Sequence, residues 1–264
     1  MGNQINENYS EKTICLFLPD RSVLFSYDRP AIASNNGWSS GGLEIDIKYP
    51  MEVQQIQFQG EVLRSKNHGS VENPKLGFKN AALETLELFL EFSGQNSPVF
   101  GSTSFDFAQS HYEQHVVGVG SILINSKTLL HAKYLPLRGL WDHSWGSRSR
   151  HNTDKYRHFN AHISDSFRFS VILMHVNGKL LSRGTLFLGE SIFEVDQVLL
   201  QTRYDDNERL EGEESHDWVA EHREFILTLA SGRREFAIQG RILSFVPLRN
   251  QTQLETSYSV EAMT

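Results

Sequence analysis

The 264-residue chain has a single cysteine, Cys15, and no long apolar run. One thiol excludes an intrachain disulfide and a cysteine-rich metal site. No apolar stretch reaches the about 20 residues that a membrane-spanning helix needs. The polar N-terminus also lacks the apolar segment of a signal peptide. The sequence therefore predicts a cytoplasmic protein with no transmembrane segment.

Positive charge is scarce as well, because 25 Lys and Arg residues stand against 32 Asp and Glu residues, for a net charge of −7. Nucleic-acid binding needs a basic face, so this balance argues against nucleic acid as a partner. The chain has no GxGxxG, Walker or HExxH motif. These motifs mark dinucleotide binding, nucleotide binding and zinc peptidases. We therefore expect no cofactor.

What the chain does contain is a period-two alternation of apolar and polar residues, which is typical of half-buried β-strands. Residues 43–49 alternate strictly, and Asn177-Gly178 stands between two alternating segments, which is a strong hairpin signal. Asn125-Ser126 is predicted to form a turn, and the polar residues 64–80 are predicted to form a loop.

Residues 86–92 also alternate, which favours a strand, although the composition of residues 81–92 suits a helix. Gly118-Val119-Gly120 inside a strand pattern indicates a bend or a close backbone contact. We expect an all-β chain of antiparallel strands that form a barrel or sandwich.

Composition also predicts how the chain is divided. Gly, Ser and Pro concentrate in residues 94–104, as is typical of a boundary between units. We predict an N-terminal β unit at residues 13–100 and a second β unit at residues 101–250. Residues 1–12 and 251–264 are predicted to be flexible tails.

The densest group of reactive side chains lies at residues 139–148, which read Gly-Leu-Trp-Asp-His-Ser-Trp-Gly-Ser-Arg. Asp142, His143 and Ser144 cannot form a hydrolytic triad by themselves, because neighbours on an extended segment point to opposite faces. Asp142 or His143 could instead act as a proton donor or base. A structural role stays open, in which Asp142 and Ser144 cap backbone amides and Trp145 fills the end of a barrel.

The candidate catalytic residues are therefore Asp142 and His143. The candidate ligand-binding residues combine aromatic rings with one guanidinium group, and they are Tyr112, Trp141, Trp145 and Arg148. Eight histidines fall in the same part of the chain: His111, His115, His131, His143, His151, His158, His162 and His175. Alternate positions on adjoining strands could bring two or three of them together as metal ligands. Their spacing does not compel this and scattered histidines are more common, so no metal site is predicted. The basic residues of segment 148–158 could hold an anion, and a solvated loop is the alternative.

Three segments carry a resemblance to a known family: His111-Tyr112-Glu113-Gln114, Val117-Gly118-Val119-Gly120 and Asp142-His143-Ser144-Trp145-Gly146-Ser147-Arg148. Together they resemble the lipocalin-like superfamily of carotenoid 1,2-hydratases and AttH-type proteins. Within it they resemble an uncharacterised branch that bears a DHSWGxR motif. Gly41-Gly42-Leu43-Glu44-Ile45 and Tyr49-Pro50-Met51 are similar to the N-terminal half of this branch. The chain also resembles the N-terminal region of animal phosphoenolpyruvate synthase-like phosphotransferases.

The resemblance implies two consecutive antiparallel lipocalin-like barrel or sandwich units. The first is expected to be incomplete, because the opening strands of its half are missing, and the chain stops about where a closing strand would follow. The resemblance also implies binding of an apolar or lipid-like small molecule, with acid–base hydratase, isomerase or cyclase chemistry at Asp142 and His143. Trp141 stands where the branch usually has Arg, which removes a charge that could pair with Asp142.

The alternative is a non-catalytic β module of, or derived from, a larger phosphoenolpyruvate synthase-like phosphotransferase. Exposed edges of an incomplete sheet would then be covered by a protein or domain partner. From the sequence, the question of whether the protein is an enzyme stays open.

Overall fold

The computed structural model describes residues 2–4, 8–32, 38–71, 74–100, 110–131, 136–145, 153–176, 179–204, 208–209 and 222–241. Almost all of these residues lie in β-strands, and the strands pair antiparallel. This confirms the predicted all-β class. A 3-10 helix at His68–Val71 and a short α-helix, α1, at Pro74–Gly77 lie where the sequence predicted a loop. Neither described helix has the length and apolar character needed to cross a membrane.

The strands are numbered in chain order. They are β1 (Gly2–Gln4), β2 (Tyr9–Phe17), β3 (Val23–Asp28), β4 (Ser39–Ser40), β5 (Leu43–Tyr49), β6 (Val53–Ser65), β7 (Ala82–Gly94), β8 (Val99–Phe100), β9 (Ser110–Ile124), β10 (Lys127–His131), β11 (Leu137–Trp145), β12 (Thr153–Ser164), β13 (Phe167–Val176), β14 (Lys179–Leu188), β15 (Ser191–Val195), β16 (Gln197–Tyr204), β17 (Glu208–Arg209), β18 (His222–Ser231) and β19 (Arg234–Arg241).

The chain divides into two compact units. The first comprises residues 1–98 and 114–141, and the second comprises residues 99–113 and 142–264. The sequence-based boundary was a single point after residue 100. In the structure, β9 and β11 each contribute residues to both units, because the division falls inside these two strands.

The first unit is built on the long strands β6 and β7, which pair from Val53↔Ser93 to Arg64↔Ala82. Residues 1–12, for which the sequence predicted a flexible tail, include β1 and the start of β2, and these pair through Gly2↔Glu11. The core of this unit collects the inward residues of β2 to β9 that alternation places on one face. Its buried members are Leu18, Leu24, Leu43, Phe58, Val62, Leu86, Ile122 and Ile124.

The second unit contains two four-stranded sheets, in the orders β12-β13-β14-β15 and β17-β16-β18-β19. Every other residue of β13 faces the space between these sheets, and the same holds for β18. The core that they enclose consists of Phe169, Val171, Leu173, Leu186, Val195, Val198, Leu200, Phe225, Leu227 and Leu229. Opposing apolar faces of two antiparallel sheets form a sandwich.

Among the described residues, no sheet closes into a barrel, because each strand path ends in edge strands. The antiparallel arrangement is therefore confirmed, and the sandwich form is the one observed in the second unit. The barrel form of the prediction is not what these strands adopt. Barrel closure depends on strand tilt and stagger, which a period-two pattern does not encode.

Local turn and glycine signals were predicted well. Asn125 and Ser126 have φ values of 49° and 61° between β9 and β10, as a type I′ hairpin turn requires. Asn177-Gly178 lies outside the described residues, but Val176↔Lys179 pairing on either side confirms the hairpin. A Cβ on Gly118 would lie 2.7 Å from the Glu91 carbonyl oxygen, which confirms the close backbone contact.

Candidate functional site

The pairing of β9 with β11 brings together titratable and aromatic side chains of the second unit. Alternation along each strand sends successive side chains to opposite faces of the sheet. His111 of β9 accordingly meets Asp142 of β11, whereas Tyr112 meets His143. The two strands thus produce two clusters, one polar and one aromatic, on opposite faces of the same pair.

The polar cluster consists of His111, Glu113, Asp142, His158 and Ser170. The Glu113 carboxylate is its centre, because His111 Nε2 lies 3.1 Å and His158 Nε2 lies 3.0 Å from the same oxygen, Oε1. Ser170 donates a hydrogen bond from Oγ to the other oxygen, Oε2. His111 Nδ1 lies 3.5 Å from Asp142 Oδ1, within ion-pair distance but without a hydrogen bond.

His158 and Ser170 reach Glu113 because of the register of β12 and β13. Asn160 pairs with Ser170 and His158 pairs with Ile172, so His158 and Ser170 are diagonal neighbours on one face. His158 Nε2 and Ser170 Oγ lie 2.9 Å apart. Their face is opposite to the one that packs Phe169 into the sandwich core.

Burial and hydrogen bonding act on Glu113 in opposite directions. Burial by itself raises the pKa of Glu113, since a charged carboxylate is poorly solvated there. Hydrogen bonds from His111, His158 and Ser170 outweigh burial and hold this pKa well below its usual range. The Glu113 side chain is 19% exposed and carries a negative charge at neutral pH. Asp142, at 47% exposure, is the member of the cluster that solvent reaches most easily.

The aromatic cluster consists of Tyr112, His143 and Trp145. The His143 ring centroid lies 5.0 Å from that of Trp145 and 5.5 Å from that of Tyr112. Tyr112 is buried, whereas Trp145 keeps 45% of its surface exposed. Burial lowers the pKa of His143, with Asp142 opposing this effect and His111 adding to it. The cluster thus presents an imidazole and an indole at an accessible surface.

The structure separates the two residues predicted to be catalytic, because Asp142 belongs to the polar cluster and His143 to the aromatic cluster. Tyr112 and Trp145, predicted to bind ligand, lie together with His143. Trp141 lies in the first unit, is 8% exposed, and its Nε1 has no hydrogen-bond acceptor among the described residues. Arg148 lies outside the described residues.

Sequence reasoning did not assign a role to Glu113 or Ser170. The spacing of His111 and Glu113 contained a signal, because residues two apart on a strand share a face. The sequence contained no such signal for Ser170, because Ser170 lies on β13 and meets Glu113 only through tertiary structure. The proximity of Glu113, Asp142 and His158 was not predicted either. One ligand atom from each of Glu113, Asp142 and His158 lies within 4.8 Å of the other two.

Comparison with known proteins identifies a family but not an activity. A family model described as "Domain of unknown function (DUF7064)" matches residues 1–264. No curated protein sequence and no solved structure matches the chain.

Proposed function

The chain belongs to the DUF7064 family, a domain of unknown function. We propose a function for it from the geometry of the aromatic cluster. The protein binds a small molecule with an apolar portion and uses the His143 imidazole for acid–base chemistry on it. The observation that carries this proposal is the grouping of Tyr112, His143 and Trp145, with ring centroids 5.0–6.2 Å apart and an exposed indole.

The chemistry of these three groups suits an unsaturated ligand. Aromatic faces provide a large apolar contact and attract positive charge. An imidazole can take up or release a proton near neutral pH. Proton transfer from the imidazolium form of His143 to an alkene produces a carbocation that aromatic faces can stabilise. Addition of water with loss of its proton completes a hydration, and loss of a different proton to the imidazole completes an isomerisation or cyclisation. The antiparallel all-β fold and the Asp142-His143-Ser144-Trp145 sequence on β11 support a lipocalin-like origin of the site.

Ligand binding is tested first. The full-length protein and a Trp145→Ala variant are purified in parallel, extracted with organic solvent and compared by mass spectrometry. We expect a small molecule in the wild-type extract and its loss from the Trp145→Ala extract. Tyr49→Ala is the matched control, because Tyr49 is an exposed aromatic residue of the first unit. Equal amounts of ligand in the Trp145→Ala and Tyr49→Ala proteins would contradict the proposed binding site.

Acid–base chemistry is tested with the molecule so identified. Incubation with the protein in deuterated water should introduce deuterium into the ligand or its product. His143→Gln should slow this by about 100- to 10,000-fold, the usual contribution of a general acid or base, while the ligand still binds. If His143→Gln exchanges deuterium at the wild-type rate, the imidazole has no such role. If the wild type binds no small molecule at all, the non-catalytic module is the better account.

A further inference from the structure

The polar cluster offers a second site, separate from the aromatic cluster. We propose that it binds one divalent transition-metal ion through Glu113, Asp142 and His158, whose potential ligand atoms lie within 4.8 Å of one another. The sequence alone did not predict a metal site at these three residues. It goes beyond the proposed function and does not depend on it.

The donor set suits a transition metal. One imidazole nitrogen and two carboxylates are ligands that zinc, cobalt and similar ions accept. His158 Nε2 and Glu113 Oε1 are 3.0 Å apart, whereas two ligands at about 2.1 Å from a tetrahedral ion lie about 3.4 Å apart. A shift of a few tenths of an ångström would bring this pair to that separation, whereas Asp142, within 4.8 Å of the other two ligands, would move further. Three protein ligands leave a coordination position for water or another small molecule.

The charges of the cluster favour a cation. His111 Nε2 and His158 Nε2 both lie within 3.1 Å of Glu113 Oε1. An imidazole nitrogen facing a carboxylate oxygen must carry a proton, so this arrangement requires two N–H donors on one oxygen. On metal binding the Nε2 proton of His158 would pass to Nδ1 or, from an imidazolium ring, to solvent, and the Nε2 lone pair would become a ligand. The positive charge of the ion would offset the carboxylates of Glu113 and Asp142.

The surrounding groups orient the ligands. His111 Nε2 lies at hydrogen-bond distance from Glu113 Oε1, and its Nδ1 lies 3.5 Å from Asp142 Oδ1. Ser170 holds the Glu113 oxygen that His111 does not contact. Such outer contacts set the direction of ligand lone pairs and typically change metal affinity when they are removed. Glu113 and His158 are each 19% exposed, while Asp142 at 47% exposure leaves a route for the ion.

The test measures metal binding directly on the full-length protein. Metal is removed with a chelator, and Co²⁺ is titrated while the visible absorption of the bound ion is recorded. Equilibrium dialysis with Zn²⁺ then gives the stoichiometry. We expect one ion per chain, with an affinity that falls on the order of 10- to 100-fold or more in Glu113→Gln and in Asp142→Asn. Each substitution keeps the shape of the side chain and removes the charged ligand.

Glu194→Gln is the matched control, because Glu194 is an exposed carboxylate of the second unit, and it should bind like wild type. Asp142→Asn decides the outcome if Glu113→Gln does not fold, since Asp142 is half exposed. Failure of the wild type to bind Co²⁺ or Zn²⁺, or equal binding by Asp142→Asn and Glu194→Gln, would overturn the proposal. Neither result bears on ligand retention at Trp145, so the two proposals can fail separately.

Discussion

Alternation along one strand decides the roles open to Asp142 and His143. They are neighbours in the chain, but Asp142 contacts His111 while His143 packs against Tyr112 and Trp145. A joint catalytic pair would need both side chains on one face, which an extended backbone does not allow. We therefore expect Asp142→Asn to change metal binding and His143→Gln to change proton transfer.

Gly118 is a residue whose lack of a side chain has a physical reason. A Cβ there would lie 2.7 Å from Glu91 O and closer still to the Phe92 ring. Gly118→Ala should therefore destabilise the protein by about 1–3 kcal/mol, as overpacking usually does. Urea unfolding monitored by circular dichroism measures this change.

Gly139→Ala serves as the control for that substitution. The nearest atom to a Cβ at Gly139 is Val116 Cγ2 at 3.2 Å, a side-chain methyl group at a longer distance than the backbone carbonyl beside Gly118. Gly139→Ala should therefore lower the free energy of unfolding by clearly less than Gly118→Ala does. Equal losses of stability in the two variants would show that the contact with Glu91 and Phe92 is not the reason for glycine at position 118.

Tyr27 gives a prediction for alkaline pH. Partial burial, together with the hydrogen bond to Glu11 and the charge of that residue, raises the pKa of Tyr27 to about 12. An unperturbed phenol titrates at about 10, so the folded state favours the neutral ring. The resulting stabilisation is fully present below pH 10 and is lost as the pH rises towards 12. The phenolate absorbance titration of the wild type should contain a late component that Tyr27→Phe removes.

Glu11→Gln tests the cause of that shift. The amide oxygen can still accept the hydrogen bond from Tyr27, but the negative charge is removed. The late-titrating phenol should then move to lower pH. An unchanged titration curve would mean that Glu11 does not raise the pKa of Tyr27.

Strand β18 is the central element of its sheet, since it pairs with β16 on one side and β19 on the other. Leu227 on this strand is fully buried in the sandwich core. Leu227→Ala removes buried methyl groups and leaves a cavity, so it should cost about 2–5 kcal/mol of unfolding free energy. Urea unfolding again provides the measurement.

Leu199→Ala on the neighbouring strand β16 is the control, because Leu199 is 48% exposed. Its cost should be about 0.5 kcal/mol or less. Similar values for the two leucines would contradict the assignment of the inward and outward faces of this sheet.

Strand identity was predictable where the pattern was local. The alternation in residues 86–92 correctly favoured a strand, observed as Ala82–Gly94, over a helix. The turn at Asn125-Ser126 was also correct. The helical turns at His68–Val71 and Pro74–Gly77 were missed, since four-residue elements are too short to show a helical period.

At the scale of the whole molecule, each unit has its own apolar core, and among the described residues the two cores share no member. Both clusters lie in the second unit, and the side chains of the clusters come from β9, β11, β12 and β13. The part of β9 in the first unit ends in the Asn125-Ser126 hairpin. One strand therefore contributes to the core of the first unit and to the candidate sites of the second.

The sequence by itself determined the all-β class, several turns and the face on which each strand residue lies, because these depend on neighbours a few positions apart. It also drew attention to Asp142, His143 and Trp145 through their residue types. Only the tertiary structure decided that Glu113 meets His158 and Ser170. These contacts join residues more than 40 positions apart in the chain, and no local pattern records which strands become neighbours.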